Sequence, residues 1–261
     1  MSPRLTGLFA HPDDDTFGIA GTAALHAQDP GFSFSVVLAT SGEAGRIADE
    51  SLATPASLGR VREGEDRASW DALGARPARL DFLRYPDGGL ADVPREELVE
   101  RLCGILLDVR PHVVVTFGPD GVTGHADHVA VGAAADEAFH RARERAGDGF
   151  HRLLHVCLPA SHVERFGEQL RERGIEPPDP TQPFQPRGVP DEEVAVSVDC
   201  GPVLARKLAA IRQHRTQAEL EDVPEDLWEP VLRVEHFTQA WPPRDPGGPV
   251  LADPFEGLPP G

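Results

Sequence analysis

Lysine is almost missing from this sequence: Lys207 is the single one among 25 basic side chains, set against 43 acids in 261 residues. The arginines are scattered rather than clustered, and the net charge is −18. Such a surface repels phosphate backbones and anionic membranes, which removes nucleic acid and lipid as default partners. Long apolar runs are missing too; none approaches the roughly 18 residues of a membrane span. The N-terminus Met1-Ser2-Pro3-Arg4 enters a strand pattern without the apolar stretch and small-residue cleavage site of a secretory signal. Cysteine is scarce, and Cys103, Cys157 and Cys200 are odd in number, far apart and set among apolar residues. They give no spacing for a disulfide framework or a thiolate metal site and read as buried free thiols. The expected compartment is the cytoplasm. Nothing in the sequence sets the oligomeric state.

What is present alternates. Apolar residues make up 40% of the chain, the ordinary share for a packed globular protein. Strand patterns at Arg4–Ala10, Phe32–Thr40, Leu80–Leu83, Pro111–Phe117, 153–158 and 194–198 are interleaved with helical ones. The predicted helices cover 17–28, 58–73 (with Val61, Ala68 and Leu73 among its apolar positions), 94–108, 126–146 and 202–216. The run Val113-Val114-Val115 suits a strand covered on both faces of a parallel sheet. Strands separated by helices of about ten to fifteen residues imply parallel βαβ units with right-handed crossovers. The expectation is one α/β domain over 1–240, an open and mostly parallel sheet with helices on both faces, and a core strand order 3-2-1-4-5. A Pro-rich segment at 174–190 reads as a surface loop or cover, and the Pro/Gly-rich 241–261 as an irregular tail.

Two motifs carry chemistry. Ala10-His11-Pro12-Asp13-Asp14-Asp15 follows the first strand, and His125-Ala126-Asp127-His128 follows the loop after the buried apolar strand. In open α/β sheets ligands bind outside the carboxyl ends of strands where the strand order reverses, and an order 3-2-1-4-5 makes these two strands neighbours. His11, Asp14 and His128 then form the His and carboxylate set of a catalytic zinc, which keeps a fourth position for water. A metal lowers the pKa of bound water towards about 7, giving a nucleophile at neutral pH. Asp13, beside a ligand and behind the rigid Pro12, is the candidate general base. His125, three residues before His128, can donate to a developing oxyanion. Each motif alone has a plainer use: acids before an Ala-rich helix suit its dipole, and the two histidines could be solvated. Two-metal phosphoester chemistry would need more bridging carboxylates than can be assigned. A structural zinc would show a fourth protein ligand, Asp127 or His125.

With these motifs in hand, the sequence resembles the PIG-L/LmbE-like family of zinc-dependent N-acetyl-sugar deacetylases. The matching pieces are AHPDDD at 10–15, SGEAGR at 41–46, Arg60-Val61-Arg62-Glu63 with ALG at 72–74, YPDGG at 85–89, VVVTFGPDGVTGHADH at 113–128, and Lys207 with HRTQ at 214–217. The resemblance implies a Rossmann-like fold, one Zn²⁺ per chain, and removal of an acetyl group from an N-acetylglucosamine-type conjugate. It implies His11, Asp14 and His128 as ligands, Asp13 as base and His125 as transition-state stabiliser. It also implies Arg60, Asp87 and Arg46 as substrate contacts, with Glu43, Asp120 and His214 as lesser candidates. A related zinc amidase taking a larger acyl group is the nearest alternative. One departure stands out: Asp15 replaces the glutamate common at that position, which puts a loop or ligand contact in question.

Overall fold

The protein is described by a computed structural model covering residues 2–182, 184–217, 223–245 and 247–259. Pro183 of the 174–190 segment and residues 246, 260 and 261 of the tail lie outside the described residues.

Each of the first strands feeds a helix. The first half of the chain runs β1 (Arg4–Phe9), α1 (Asp14–His26), β2 (Ser33–Leu38), α2 (Leu58–Leu73), β3 (Arg79–Phe82) and α3 (Arg95–Val109). It continues through β4 (Val113–Phe117), the single turn α4 (Gly121–Gly124), α5 (Ala126–Ala146) and β5 (Arg152–Val156). The remainder holds β6 (Leu158–Pro159), α6 (Ala160–Glu172), β7 (Gly188–Val189), β8 (Val194–Asp199), α7 (Leu204–Ile211), α8 (Trp228–Leu232) and β9 (Val234–Trp241). The seven-stranded sheet has the order β3-β2-β1-β4-β5-β9-β8, parallel as far as β5 and antiparallel across β9. The 3-2-1-4-5 core and the mostly parallel α/β architecture are therefore as expected.

Local chemistry explains the pieces. All five residues of β4 are buried, because helices cover both faces there and β-branched side chains fill the pleat. Pro94 and the acids Glu96 and Glu97 start α3, where proline and negative charge both favour a helix N-terminus. Gly132 lets α5 lie against the end of β4: a Cβ there would sit 2.4 Å from the Phe117 carbonyl oxygen. That close approach delivers His128 to the strand end.

Boundaries depart from the sequence pattern in places. Helix α1 starts at Asp14 rather than at 17, so two of the three acids lie in its first turn. The helix predicted over 202–216 divides into a 3₁₀ turn at Gly201–Val203, α7, and turns that carry His214 to Gln217. On α2 the buried face is Leu58, Arg62, Glu63, Asp66, Ser69, Trp70 and Leu73, while Val61 and Ala68 are only half-buried. Charged residues occupy the inward stripe because they face the polar site. The sequence pattern assigns no element to α6, α8 or β9. Strand β9 enters between β5 and β8 against the direction of both, a pairing set by tertiary packing. In the tail, Leu251 bridges to Val196 of β8, and Arg152 donates to the carbonyls of Pro254 and Glu256. Among the described residues, no helix is long and apolar enough to cross a membrane.

The lone lysine is a structural bolt. Lys207 Nζ lies 2.7 Å from Glu235 Oε1, with the two side chains 1% and 2% exposed. Glu235 also accepts from the backbone N–H groups of Gly21 and Thr22 at 2.7 and 2.8 Å, tying α1 to β9. Removing one partner leaves a buried charge uncompensated, so Lys207→Met should cost about 3–5 kcal/mol, read from urea unfolding.

Candidate active site

The register of the sheet creates the site. Leu5, Thr6 and Gly7 of β1 pair with Val113, Val114 and Val115 of β4, so the carboxyl ends of the two strands are neighbours. The turn after β1 carries His11 to Asp14, and the segment after β4 carries His125 to His128. The structure brings both motifs together.

Hydrogen bonds determine which ring nitrogens are free. His128 Nδ1 lies 3.0 Å from the Gly121 carbonyl oxygen, which can only accept, so Nδ1 carries the proton and Nε2 keeps its lone pair. His11 Nε2 lies 3.0 Å from Asp87 Oδ1 and 3.4 Å from Asp127 Oδ2, so its proton belongs there and Nδ1 is the open nitrogen. These open atoms lie 3.2 Å apart. Asp14 completes the triangle of residues through two different oxygens: Oδ1 lies 3.3 Å from His128 Nε2, while Oδ2 lies 3.4 Å from His11 Nδ1 and accepts the His11 backbone N–H at 2.7 Å. Two nitrogen lone pairs and a carboxylate converging like this repel one another unless a cation lies between them. The edge of a tetrahedron with metal–ligand bonds of about 2.0–2.1 Å is about 3.3–3.4 Å, close to the 3.2 and 3.3 Å from His128 Nε2 to His11 Nδ1 and Asp14 Oδ1, so the donor set fits zinc. The Phe117 ring stacks on the His128 imidazole at 4.0 Å and closes that side.

Electrostatics point the same way. Burial raises the Asp14 carboxyl, but the charge of His128 and the contacts of His11 outweigh it and hold the pKa at about 2. Burial opposes a charged His11, yet hydrogen bonds to Asp127, Asp14 and Asp87 raise its pKa well above the ordinary 6.5. The metal-free pocket therefore recruits a proton where a cation fits.

Two other triads come close, and each has a prior commitment. His125 lies near His11 and His128, but its Nδ1 accepts the Asp127 N–H at 3.1 Å as the cap of α5. Its proton is then on Nε2, and burial together with the charges of His11 and His128 lowers its pKa, giving a neutral donor. Asp87 and Asp127 face His11 on the opposite side. Asp127 is fully buried and accepts from Gly88 N at 2.8 Å and Leu90 N at 3.0 Å, which holds the Tyr85–Gly89 turn against α5. Asp87 accepts from Ala44 N at 2.8 Å, and its own N–H goes to Glu43 Oε1 at 2.9 Å. The loops after β2 and β3 are thus clasped together beside His11. Carboxylates that orient a ligating histidine are worth about 10–100-fold in metal affinity. Asp87→Asn should weaken zinc binding by that factor, measured by competition with a chromogenic chelator.

Asp13 is buried and has φ +122°, a backbone region that favours glycine. Its side chain does not cap α1. Asp15 points away from the triangle: Oδ2 accepts the Trp70 indole N–H at 2.8 Å, and burial pushes its pKa up to about 6. Burial and the facing Asp15 raise Asp66 well above its ordinary value, so the two carboxyls cannot both be charged. The unusual acid ties α1 to α2. His214, its pKa held down to about 3 by burial and the charge of Arg62, meets Thr16 Oγ1 at 3.0 Å.

The expected substrate contacts divide. Asp87 lines the site, while Arg46 and Arg60 are exposed, Arg60 lying off the inward face of α2. Arg62 is the buried arginine there: it donates to the Arg46 carbonyl at 3.3 Å, and a Cβ at Gly45 would lie 2.5 Å from its Nη1. Asp120 stands at the start of α4 with Oδ2 buried and without a hydrogen-bond partner among the described residues. The 174–190 segment reaches the rim, where the Phe184 ring, 61% exposed, lies 5.0 Å from His125. Arg187 N–H bonds the Val122 carbonyl at 2.7 Å. The periodicity of α2 holds the signal for Arg62; motif spacing alone passes over it.

Comparison with known proteins agrees with this geometry. Residues 7–139 match the profile of the family described as PIG-L, GlcNAc-PI de-N-acetylase. A 1D-myo-inositol 2-acetamido-2-deoxy-alpha-D-glucopyranoside deacetylase of Nocardiopsis dassonvillei is 33% identical over 282 residues, 95% of this chain and 99% of that one. Among solved structures, a conserved protein from Thermus thermophilus has a TM-score of 0.61 at 25% identity, covering 94% of this chain and 97% of its own. N,N'-diacetylchitobiose deacetylase from Pyrococcus horikoshii has a TM-score of 0.57 at 24% identity, over 94% and 84%, a likeness of fold. The chain belongs to the PIG-L family of de-N-acetylases, which are amide hydrolases.

Proposed function

We propose that this protein removes the acetyl group from an N-acetylglucosamine-type sugar conjugate, one zinc ion being held by His11, Asp14 and His128. The observation that supports the reading is the convergence of His11 Nδ1, His128 Nε2 and the Asp14 carboxylate, with the nitrogens 3.2 Å apart and the two Asp14 oxygens 3.3 and 3.4 Å from them. Bound there, zinc supplies Lewis-acid activation of water and of the amide carbonyl. Asp13 takes the proton of the attacking water as oxygen adds to the carbonyl carbon. His125 donates Nε2–H to the oxygen that becomes negative, as a neutral imidazole can. Asp13 then delivers its proton to the amide nitrogen, the C–N bond breaks, and acetate and the free amino sugar leave. Asp87 and Arg46 border the sugar, and Arg60 lies further out on α2. The Nocardiopsis relative, whose name specifies an N-acetylglucosamine–inositol glycoside, supports a substrate of that class. The three free, buried cysteines support a cytoplasmic location.

The zinc-loaded protein should release acetate and a primary amine from N-acetylglucosaminyl-inositol, and more slowly from N-acetylglucosamine. Turnover confined to conjugates with a larger acyl group would favour the amidase reading, and no turnover of any N-acetylated sugar would refute the proposal.

A further inference from the structure

The general base sits on a turn that its own sequence disfavours. His11 to Asp14 form a β-turn closed by Asp14 N–H to the His11 carbonyl at 3.3 Å, with Pro12 second and Asp13 third. Asp13 has φ +122° and ψ −39°. A positive φ at the third position belongs to turns whose central peptide is flipped, and glycine usually takes it. The flip turns the Pro12 carbonyl away from the side it would face in the commoner turn. That carbonyl is met by Gln217: Nε2 donates to Pro12 O at 2.7 Å, from a side chain only 8% exposed.

Gln217 is placed without help from the turn. Thr216 bonds Glu65 of α2 through N at 2.9 Å and Oγ1 at 2.6 Å, and its carbonyl accepts from Ala48 N at 3.1 Å. His214, three residues earlier, meets Thr16 of α1 at 3.0 Å. The amide of Gln217 is therefore presented to the turn by a segment fastened on two sides.

We infer that Gln217 is a positioning residue for the reaction: its donor holds the Pro12–Asp13 peptide flipped and so sets the direction of the Asp13 carboxylate. This rests on Asp13 as the base. Without the donor the turn relaxes to the commoner form, with φ of about −90° at the third position. The Asp13 Cβ then swings, while His11 and Asp14, held by Asp87, Asp127 and helix α1, keep their places.

The test uses Gln217→Met, of similar length without a donor, and Gln217→Glu, isosteric without an N–H. Each is made alone and together with Asp13→Ala. The single variants should lose about 10²-fold in kcat, the effect of displacing a reacting group by roughly 1 Å. KM and bound zinc should not change. Added to Asp13→Ala, neither should cost anything more, because the group it positions is gone. A crystal structure of the Gln217→Met protein should show Asp13 at negative φ. Wild-type kcat in both single variants, an undiminished loss in the Asp13→Ala background, or Asp13 still near its present φ would overturn the inference. Full turnover by Asp13→Ala alone would instead remove the base, and with it any catalytic part for Gln217; the crystallographic φ would still decide the peptide.

Discussion

Asp13→Ala should lower kcat by about 10²–10⁴-fold, the usual range for a positioned general base, with zinc content unchanged. Asp13 is one residue from a proposed ligand, yet its side chain is not part of the donor triangle, which His11, Asp14 and His128 close by themselves. In the proposed mechanism, loss of the carboxylate removes the acceptor for the water proton and the donor to the leaving nitrogen. It leaves substrate contacts in place, so KM should hold. Asp13→Asn keeps the size and should be nearly as poor. Metal analysis separates this outcome from a broken site: an inactive Asp13→Ala chain that had also lost its zinc would mean that Asp13 is a ligand.

His128→Ala, or chelation of the wild-type protein, should abolish measurable deacetylation, and zinc should restore only the wild type. His128 offers Nε2 to the triangle because Nδ1 is spent on the Gly121 carbonyl, and two remaining donors make a poor zinc site. The same geometry gives a pH dependence with a definite sign. In the metal-free chain His11 has a pKa raised well above 6.5, because hydrogen bonds to Asp127, Asp14 and Asp87 outweigh the burial that opposes charge. A raised pKa in the folded state contributes stability that is complete below the unfolded value and is lost as pH rises through the folded one. Zinc needs the same nitrogen unprotonated. Apparent zinc affinity should therefore rise about tenfold per pH unit up to the raised pKa of His11. Over the window between the ordinary 6.5 and that raised pKa the metal-free protein should lose thermal stability, and the gain in Tm on adding zinc should widen. A metal affinity independent of pH across it would mean that His11 is not titrated by zinc.

The meeting of the two motifs was legible before the structure, and the reason is local. His11, Asp13 and Asp14 lie within one turn, and His125 and His128 within another, so spacing expresses their geometry directly. Their meeting needed only the strand order, which the alternating pattern supplies. Residues that act across the fold left no such trace. Gln217 lies 205 positions from the carbonyl it holds, and Asp127 grips the backbone of Gly88 and Leu90 from another helix. Arg62 rather than Arg60 faces inward because α2 turns its charged stripe to the site, against the expectation that apolar residues mark a buried face. Strand β9 was hidden for a related reason: its antiparallel place between β5 and β8 depends on partners far along the chain. Asp15, which left a loop or ligand contact in question, accepts the Trp70 indole N–H and faces Asp66 from across the fold, so its role too depends on distant partners.

The central claim is one zinc site built on the metal-facing sides of His11 and His128. A crystal structure of the zinc-loaded protein, with anomalous data at the zinc edge, tests it most directly. The account predicts a single peak within about 2.0–2.2 Å of His11 Nδ1, His128 Nε2 and an Asp14 carboxylate oxygen. A peak between His11 Nε2, Asp87 and Asp127, or full turnover by protein free of metal, would contradict it.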